Sequence, residues 1–289
     1  MPTHPLYQGA LLIALAELFL VCSGMIVKQI SADLPTEIIV FSRNLLGLCL
    51  LLPWLMRNGI SVVKTNHLRF HFMRAAIGVS AMTCLFYSWG NLPLAQAALL
   101  KQTAPFFTPI LAFIWLGERI GFITKGAIVL GFIGVFFILQ PTEGVINYVV
   151  LIALFGAMLS GFVKVVVRRM GATESPQKIV FYFAFFSSLI ASLPAMWNWQ
   201  MPTLAQGGWL FLLAITSTLA QLSLSKGYSL APAGSLGPFT YISVVFAALL
   251  GWWIWDELLD LDTFIGISLV VTAGILALVG KKQEQLYER

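Results

Sequence analysis

Three ionisable side chains stand inside apolar stretches of the chain: Glu17, Arg43 and Lys101. A charged group at mid-bilayer depth costs a few kcal/mol on insertion scales, so one that is retained serves binding, relay or pairing. Glu17 is the tenth residue of its apolar segment, close to the midplane, while Arg43 and Lys101 each lie about 10 Å below the outer surface. One acid and two cations within reach of one cavity allow two arrangements. In the first, Glu17 neutralises Arg43 or Lys101 in a buried pair that fixes helix packing. In the second, the three bind charged groups of a cargo, with Glu17 also a candidate proton site. Two positives against one negative favour a carboxylate-bearing cargo. A zwitterion such as an amino acid fits too, with Arg43 taking the carboxylate bidentately and Glu17 the amine. The competing reading is export of organic cations or amines on Glu17.

Neutral polar residues add donors and acceptors to the same depth. Asn44, Gln102, Thr240 and Tyr241 are of this kind. At helical spacing, Ser80, Thr83 and Tyr87 share one face, and Ser217, Gln221 and Ser225 another. Hydroxyls in membrane helices often bond back to their own helix, whereas a mid-helix amide such as Gln221 cannot satisfy itself so locally. Pro105, Pro109 and Pro238 remove backbone donors and are hinge candidates. Arg74, near the inner end of its segment, is a candidate inner-gate residue that can also snorkel. His67 and His71 stand at i, i+4, but no third ligand is near, so they read as part of a basic cytosolic face and no metal site is expected. Cys22, Cys49 and Cys84 lie in apolar segments without CxxC spacing and read as small buried hydrophobes.

The elements that position these residues follow from composition. The 289 residues are 59% hydrophobic and 10% charged, far from the roughly 25% charged of a soluble domain. Ten apolar segments can be drawn, at about 8–30, 36–56, 70–90, 94–116, 121–139, 145–167, 177–197, 207–227, 233–255 and 262–280. Runs of about 20 apolar residues must be helices, because a bilayer leaves no other way to satisfy the backbone except a closed barrel of shorter, alternating strands. No soluble domain fits in the remainder. The start, MPTHPLYQ, carries no Lys or Arg before the apolar run and no small-residue cleavage site follows, so the first segment is expected to be a retained helix. Nine Trp, most near segment ends, suit an aromatic belt.

Orientation follows from charge. With the N-terminus inside, the inner connections and tail hold Arg57, Lys64, Arg69, Arg119, Lys125, Arg168, Arg169, Lys178, Lys226, Lys281, Lys282 and Arg289, and the outer ones hold only Lys28, at a helix end. The acids Asp33, Glu37, Glu143, Asp256, Glu257, Asp260 and Asp262 fall outside. That asymmetry places both termini in the cytoplasm. The net charge of +5 is thereby an orientation signal and calls for no nucleic acid. The chain is also duplicated. NLPLAQAA…FIWLGER corresponds to SLAPAGSL…WWIWDEL, and at an offset of 139 Pro93 matches Pro232 and Glu118 matches Glu257. At an offset of 140, Gly126 and Gly134 match Gly266 and Gly274. These glycines, with Gly131, suit close helix approach, within the chain or at a homodimer contact. Five helices per unit invert the second copy, the design of transporters that alternate access around a midplane site.

The short loop with P-x-A, the helix rich in small residues and Pro, the GE or DE and the Gly-studded helix, twice over, resemble the EamA type of the drug/metabolite transporter superfamily. Arg74 followed by Gly78 at the head of segment 3 is similar as well. The resemblance covers two halves, 8–139 and 145–280, with 281–289 as a short basic and polar cytoplasmic tail. It implies an all-α polytopic protein of ten transmembrane helices in two inverted five-helix repeats. It implies secondary active transport of a small metabolite, through a cavity walled by segments 1–4 and 6–9, with 5 and 10 peripheral. The cargoes of such proteins range over amino acids, nucleotide-sugars, carboxylates, amines and nucleoside derivatives. Transport of this kind draws on a coupling proton or a counter-substrate; no cofactor is implied. A bacterial inner membrane is the expected location. An integral-membrane transferase is disfavoured, because His4, His67 and His71 are the only histidines and none has a suitable acid beside it in sequence. No phosphate-binding loop is present.

Overall fold

The structure, a computed structural model, describes residues 5–59, 63–117, 120–139, 147–170, 174, 176–230 and 236–287. Glu118 and Pro232, two of the positions that align the halves, lie outside the described residues, as do Arg119 and Glu143 and the side chains of Trp54, Ser225 and Pro238. The described elements are α1 (Pro5–Ile30), α2 (Thr36–Asn58), α3 (Leu68–Asn91), α4 (Leu94–Lys101), α5 (Ala104–Leu116), α6 (Phe122–Leu139), α7 (Tyr148–Met170), α8 (Pro176–Trp197), α9 (Leu204–Leu230), α10 (Ile242–Trp255) and α11 (Leu261–Tyr287). A 3-10 turn, Gly237–Tyr241, leads into α10. Among the described residues, seven membrane-crossing candidates meet the length and hydropathy needed, one of them running through both α4 and α5, and three shorter apolar helices, Phe122–Ile138, Phe239–Trp255 and Leu261–Ala277, accompany them. Large apolar side chains such as Phe122, Leu193 and Leu204 are exposed on the outside, as are Trp197 and Trp253. Outward apolar faces around a packed interior are what lipid demands of a protein.

Two details depart from the sequence reading. The fourth segment is not one kinked helix but two, α4 and α5, separated at Gln102–Thr103. Pro105 lacks the N–H that would bond the Lys101 carbonyl, so α4 stops there; Pro105 then falls in the first turn of α5, where a missing donor is harmless. Only Pro109 remains inside that helix. Pro238 likewise sits at the start of its 3-10 turn. The tail also differs. Residues 281–287 continue α11, as expected of Lys, Gln and Glu, which are good helix formers.

The strongest pairings are α1 with α9, α6 with α11, α3 with α7 and α2 with α8, followed by α3 with α8 and α5 with α7. Exchanging the halves carries α1–α9 into α3–α7 and leaves α2–α8 and α6–α11 in place. Where α6 meets α11, a Cβ on Gly266 would stand 2.8 Å from the Gly134 carbonyl oxygen, so the backbones touch where only glycine fits. Gly134 and Gly266 thus serve a contact within the chain, while Gly126 faces open space.

Candidate functional site

Glu17, in the middle of α1, is almost fully buried, and its Oε2 lies 3.3 Å from Lys101 Nζ. Lys101 is the last residue of α4, so the break in that helix sets the ammonium beside the acid. Two small cavities flank Lys101, one lined by Leu20, Trp89 and Ser243, the other by Ala153, Gly156 and Ser160. One residue on, the two interrupted helices meet. Gln102 Nε2 donates to the Thr240 carbonyl (2.7 Å) and to Ser243 Oγ (2.9 Å), and the Tyr241 hydroxyl donates to the Gln102 carbonyl (3.4 Å). Gln102 and Tyr241 are equivalent positions at the offset of 139. A carbonyl freed by each break is therefore answered from the other break, which satisfies non-helical backbone at membrane depth.

Arg43 does not join Glu17. Its Nη1 donates to Asn44 Oδ1 (3.0 Å), and Asn44, fully buried, is held by the Val40 carbonyl (2.8 Å) and by Ser187 Oγ of α8 (3.1 Å). No carboxylate pairs with Arg43 among the described residues. Tyr87 stands apart as well, its hydroxyl 3.3 Å from that of Tyr148 on an exposed flank of α3 and α7. Gln221 is on the exposed side of α9. Its neighbours Thr216 and Ser217 turn inward and share hydrogen bonds with Ser23 of α1 (2.9 and 3.3 Å).

Two charged clusters were not legible as sites. The first closes one end of the bundle. Lys28 of α1 forms an ion pair with Glu257, donates to the Leu92 carbonyl (2.9 Å) and lies 5.4 Å from the Trp255 ring centre. Glu257 Oε2 accepts the Leu94 N–H (2.8 Å), the first donor of α4, which the N-cap residue Pro93 cannot satisfy. The local backbone aims that carboxylate. Asp256 takes a left-handed conformation (φ 53°), its N–H bonds the Trp252 carbonyl, and the Glu257 N–H bonds the Gly251 carbonyl. This left-handed cap ends α10 and folds Glu257 back over Gly251, where a Cβ would stand 2.6 Å from Oε2. Gly117 (φ 71°) ends α5 in the same left-handed way, so Gly117 and Asp256, equivalent at the offset of 139, share one backbone device.

The second cluster lies at the opposite end of α3. His71, assigned above to a solvated face, is fully buried. It stacks on Tyr182 (centroids 4.5 Å apart), and its Nε2 is 4.0 Å from Glu174 Oε2. Glu174 also accepts from Thr65 and faces Lys178 Nζ at 3.5 Å, while the Tyr182 hydroxyl donates to the Val63 carbonyl (2.7 Å). Burial would raise the Glu174 carboxyl; the Thr65 hydroxyl and the Lys178 ammonium outweigh it and hold the group below its ordinary range. The signal was present in the sequence: His71, Ala75 and Val79 form one i, i+4 stripe, and all three are buried.

Residues 7–140 and again 147–279 match the EamA-like transporter family. The chain belongs to that family. It is an integral membrane transporter of small metabolites and not an enzyme. Among relatives of the transporter is the pseudopaline exporter CntI of Pseudomonas aeruginosa, 32% identical over 273 residues, 93% of this chain and 95% of that one. An S-adenosylmethionine uptake transporter of Rickettsia bellii is 26% identical, covering 89% of this chain and 88% of its own. A riboflavin transporter of Vibrio cholerae is also 26% identical, covering 93% and 91%. A solved crystal structure shares the fold at a TM-score of 0.66 and 17% identity, covering 95% of the transporter and 98% of that chain.

Proposed function

We propose that the transporter carries a small carboxylate or amino-acid-like zwitterion by alternating access. The reading takes ten crossings in two inverted repeats, with both termini on the cytoplasmic side of a bacterial inner membrane. One observation carries the choice of cargo. The acid at mid-depth, Glu17, is already neutralised by Lys101, whereas the half-buried Arg43 has a neutral amide as partner and no carboxylate among the described residues. A guanidinium in a low-dielectric site is left wanting an anion, and its planar fork fits a carboxylate. The same observation disfavours organic cations: Glu17 could receive an ammonium only by releasing Lys101. The duplicated breaks at Gln102 and Tyr241 are the natural pivot, because helix interruptions at the repeat interface are where such transporters hold cargo. The Lys28–Glu257 clamp joins α1, α4 and α10 at the outer end, so it must part when that end opens. The relatives include both an exporter and uptake transporters, so direction is not inherited from them.

Counterflow in proteoliposomes tests the cargo class and needs no knowledge of the driving gradient. Labelled amino acids, mono-, di- and tricarboxylates and organic cations are offered to wild-type protein preloaded with each. Saturable exchange of an anion or zwitterion is expected; exchange confined to organic cations would refute the reading. Repeating the active pair with an imposed pH gradient separates proton coupling from simple exchange.

A further inference from the structure

Arg74 is a membrane-embedded cation to which this reading gives no role. Seven residues into α3, it is half-buried; its Nε and Nη1 atoms are shielded from solvent and have no hydrogen-bond partner among the described residues. Its guanidinium lies 4.3 Å from the centre of the Phe183 ring on α8. No carboxylate pairs with it among the described residues.

Arg74 and Arg43 border one seam. Arg74, Gly78 and Met82 follow one another at i, i+4 and i+8 on α3. Gly78 receives the edge of Phe183, 2.8 Å from where a Cβ would stand, and Met82 Sδ lies 3.6 Å from Asn44 Nδ2. Asn44 is the group that holds Arg43. On α8, Phe183 and Ser187 are one turn apart; Phe183 covers Arg74 and Ser187 donates to Asn44. The residues of α3 and α8 that lead to the two guanidiniums are thus one to two helical turns apart along the α2–α3–α8 seam, or roughly 6–12 Å.

A half-buried guanidinium over an aromatic face has part of its charge answered, but its in-plane N–H donors are not. Two such forks facing one seam recognise a ligand with an anionic group at each end better than one with a single charged end. We propose that Arg43 and Arg74 form a two-point anion site, and that the cargo class is a small dicarboxylate or comparable dianion. The proposal rests on the reading that Arg43 meets the anionic part of the cargo. Phe183 is the cover that must swing aside for the second anionic group to reach Arg74.

The test is equilibrium binding to the purified full chain in detergent, read by ligand-induced stabilisation against thermal unfolding, with butyrate, succinate, glutarate and adipate as probes. At least one dicarboxylate is expected to bind wild type tenfold or more tighter than butyrate. Arg74→Gln is expected to erase that preference while leaving butyrate affinity in place, and Arg43→Gln to weaken both kinds of ligand. Should Arg74→Gln not fold, Arg74→Lys decides: a single-point donor is expected to cut the preference at least threefold, and an unchanged preference overturns the assignment. Equal binding of mono- and dicarboxylates to wild type, a preference that survives in Arg74→Gln, or no binding of any probe also overturns it. Loss of the preference alone, with Arg43→Gln still weakening butyrate, leaves the broader reading standing. Butyrate binding indifferent to Arg43→Gln sinks that broader reading instead.

Discussion

Replacing Glu257 by Gln removes one charge from the clamp and little else. Both clamp side chains are 16% exposed, so the pair is partly shielded from water without being sealed from it. A hydrogen bond to a charged group contributes about 1.5–3 kcal/mol against about 0.5–1.5 for a neutral one. Glutamine can still accept the Leu94 N–H but meets Lys28 only as a neutral partner, and Lys28 keeps its Leu92 carbonyl and the Trp255 ring. The net loss is therefore about 1–1.5 kcal/mol in favour of opening at that end, roughly a 5- to 13-fold shift in population. Hydrogen–deuterium exchange of the full chain in lipid nanodiscs reads this directly. Amides of Leu92 and of the first turn of α4 are expected to exchange faster by that factor in Glu257→Gln. Lys28→Gln should behave alike, and the double variant should be no worse than either alone. Exchange at residues 92–98 identical in wild type and Glu257→Gln would refute the view that this pair holds the end closed.

Three further outcomes follow from other parts of the molecule. Glu174 has a folded-state pKa below its ordinary value of 4.5, so its contribution is full above that pH and is lost as pH falls through the lowered value. Glu174→Gln should therefore melt lower than wild type at pH 7, by about 1–3 kcal/mol, with the gap closing in melts taken below pH 4.5; a gap that widens in acid would contradict this. Gly266→Ala would press a methyl against the Gly134 carbonyl and Ile138, and should destabilise the detergent-solubilised chain by about 1–3 kcal/mol, whereas Gly126→Ala, in open space, should be neutral in the same melts. Gln102→Ala strips the Thr240 carbonyl and Ser243 of a donor; it should slow exchange transport and destabilise the fold by about 1–3 kcal/mol. Full activity with wild-type stability in that variant would rule out the junction as the pivot.

Much of this was legible beforehand where a single physical constraint dominates. A run of apolar residues in lipid has to be helical, and a mid-depth acid has to find a cation; for Glu17 the structure supplies Lys101. What stayed hidden depends on which helix faces which. Arg43 answers to Asn44 and, through it, to Ser187, a residue 143 positions from Asn44 that no local spacing reveals. The interruption at Gln102 was signalled by Pro105, but a proline kinks a helix or starts a new one, and only the capping partners across the bundle distinguish the outcomes. Lys28 looked like a helix-end cation, yet it was the lone basic residue among seven outer acids, and its pairing with Glu257 follows that hint. His71 was assigned by its basic neighbours in sequence, whereas its burial is set by the stripe it shares with Ala75 and Val79.

The central claim is that the uncompensated charge of Arg43 meets the anionic part of the cargo. The most direct measurement is the concentration dependence of counterflow for the best anionic or zwitterionic substrate, in wild type and Arg43→Gln reconstituted at equal amounts. Losing a charge-assisted hydrogen bond of about 1.5–3 kcal/mol predicts a KM raised roughly 10- to 150-fold. An Arg43→Gln transporter with an unchanged KM would contradict the account.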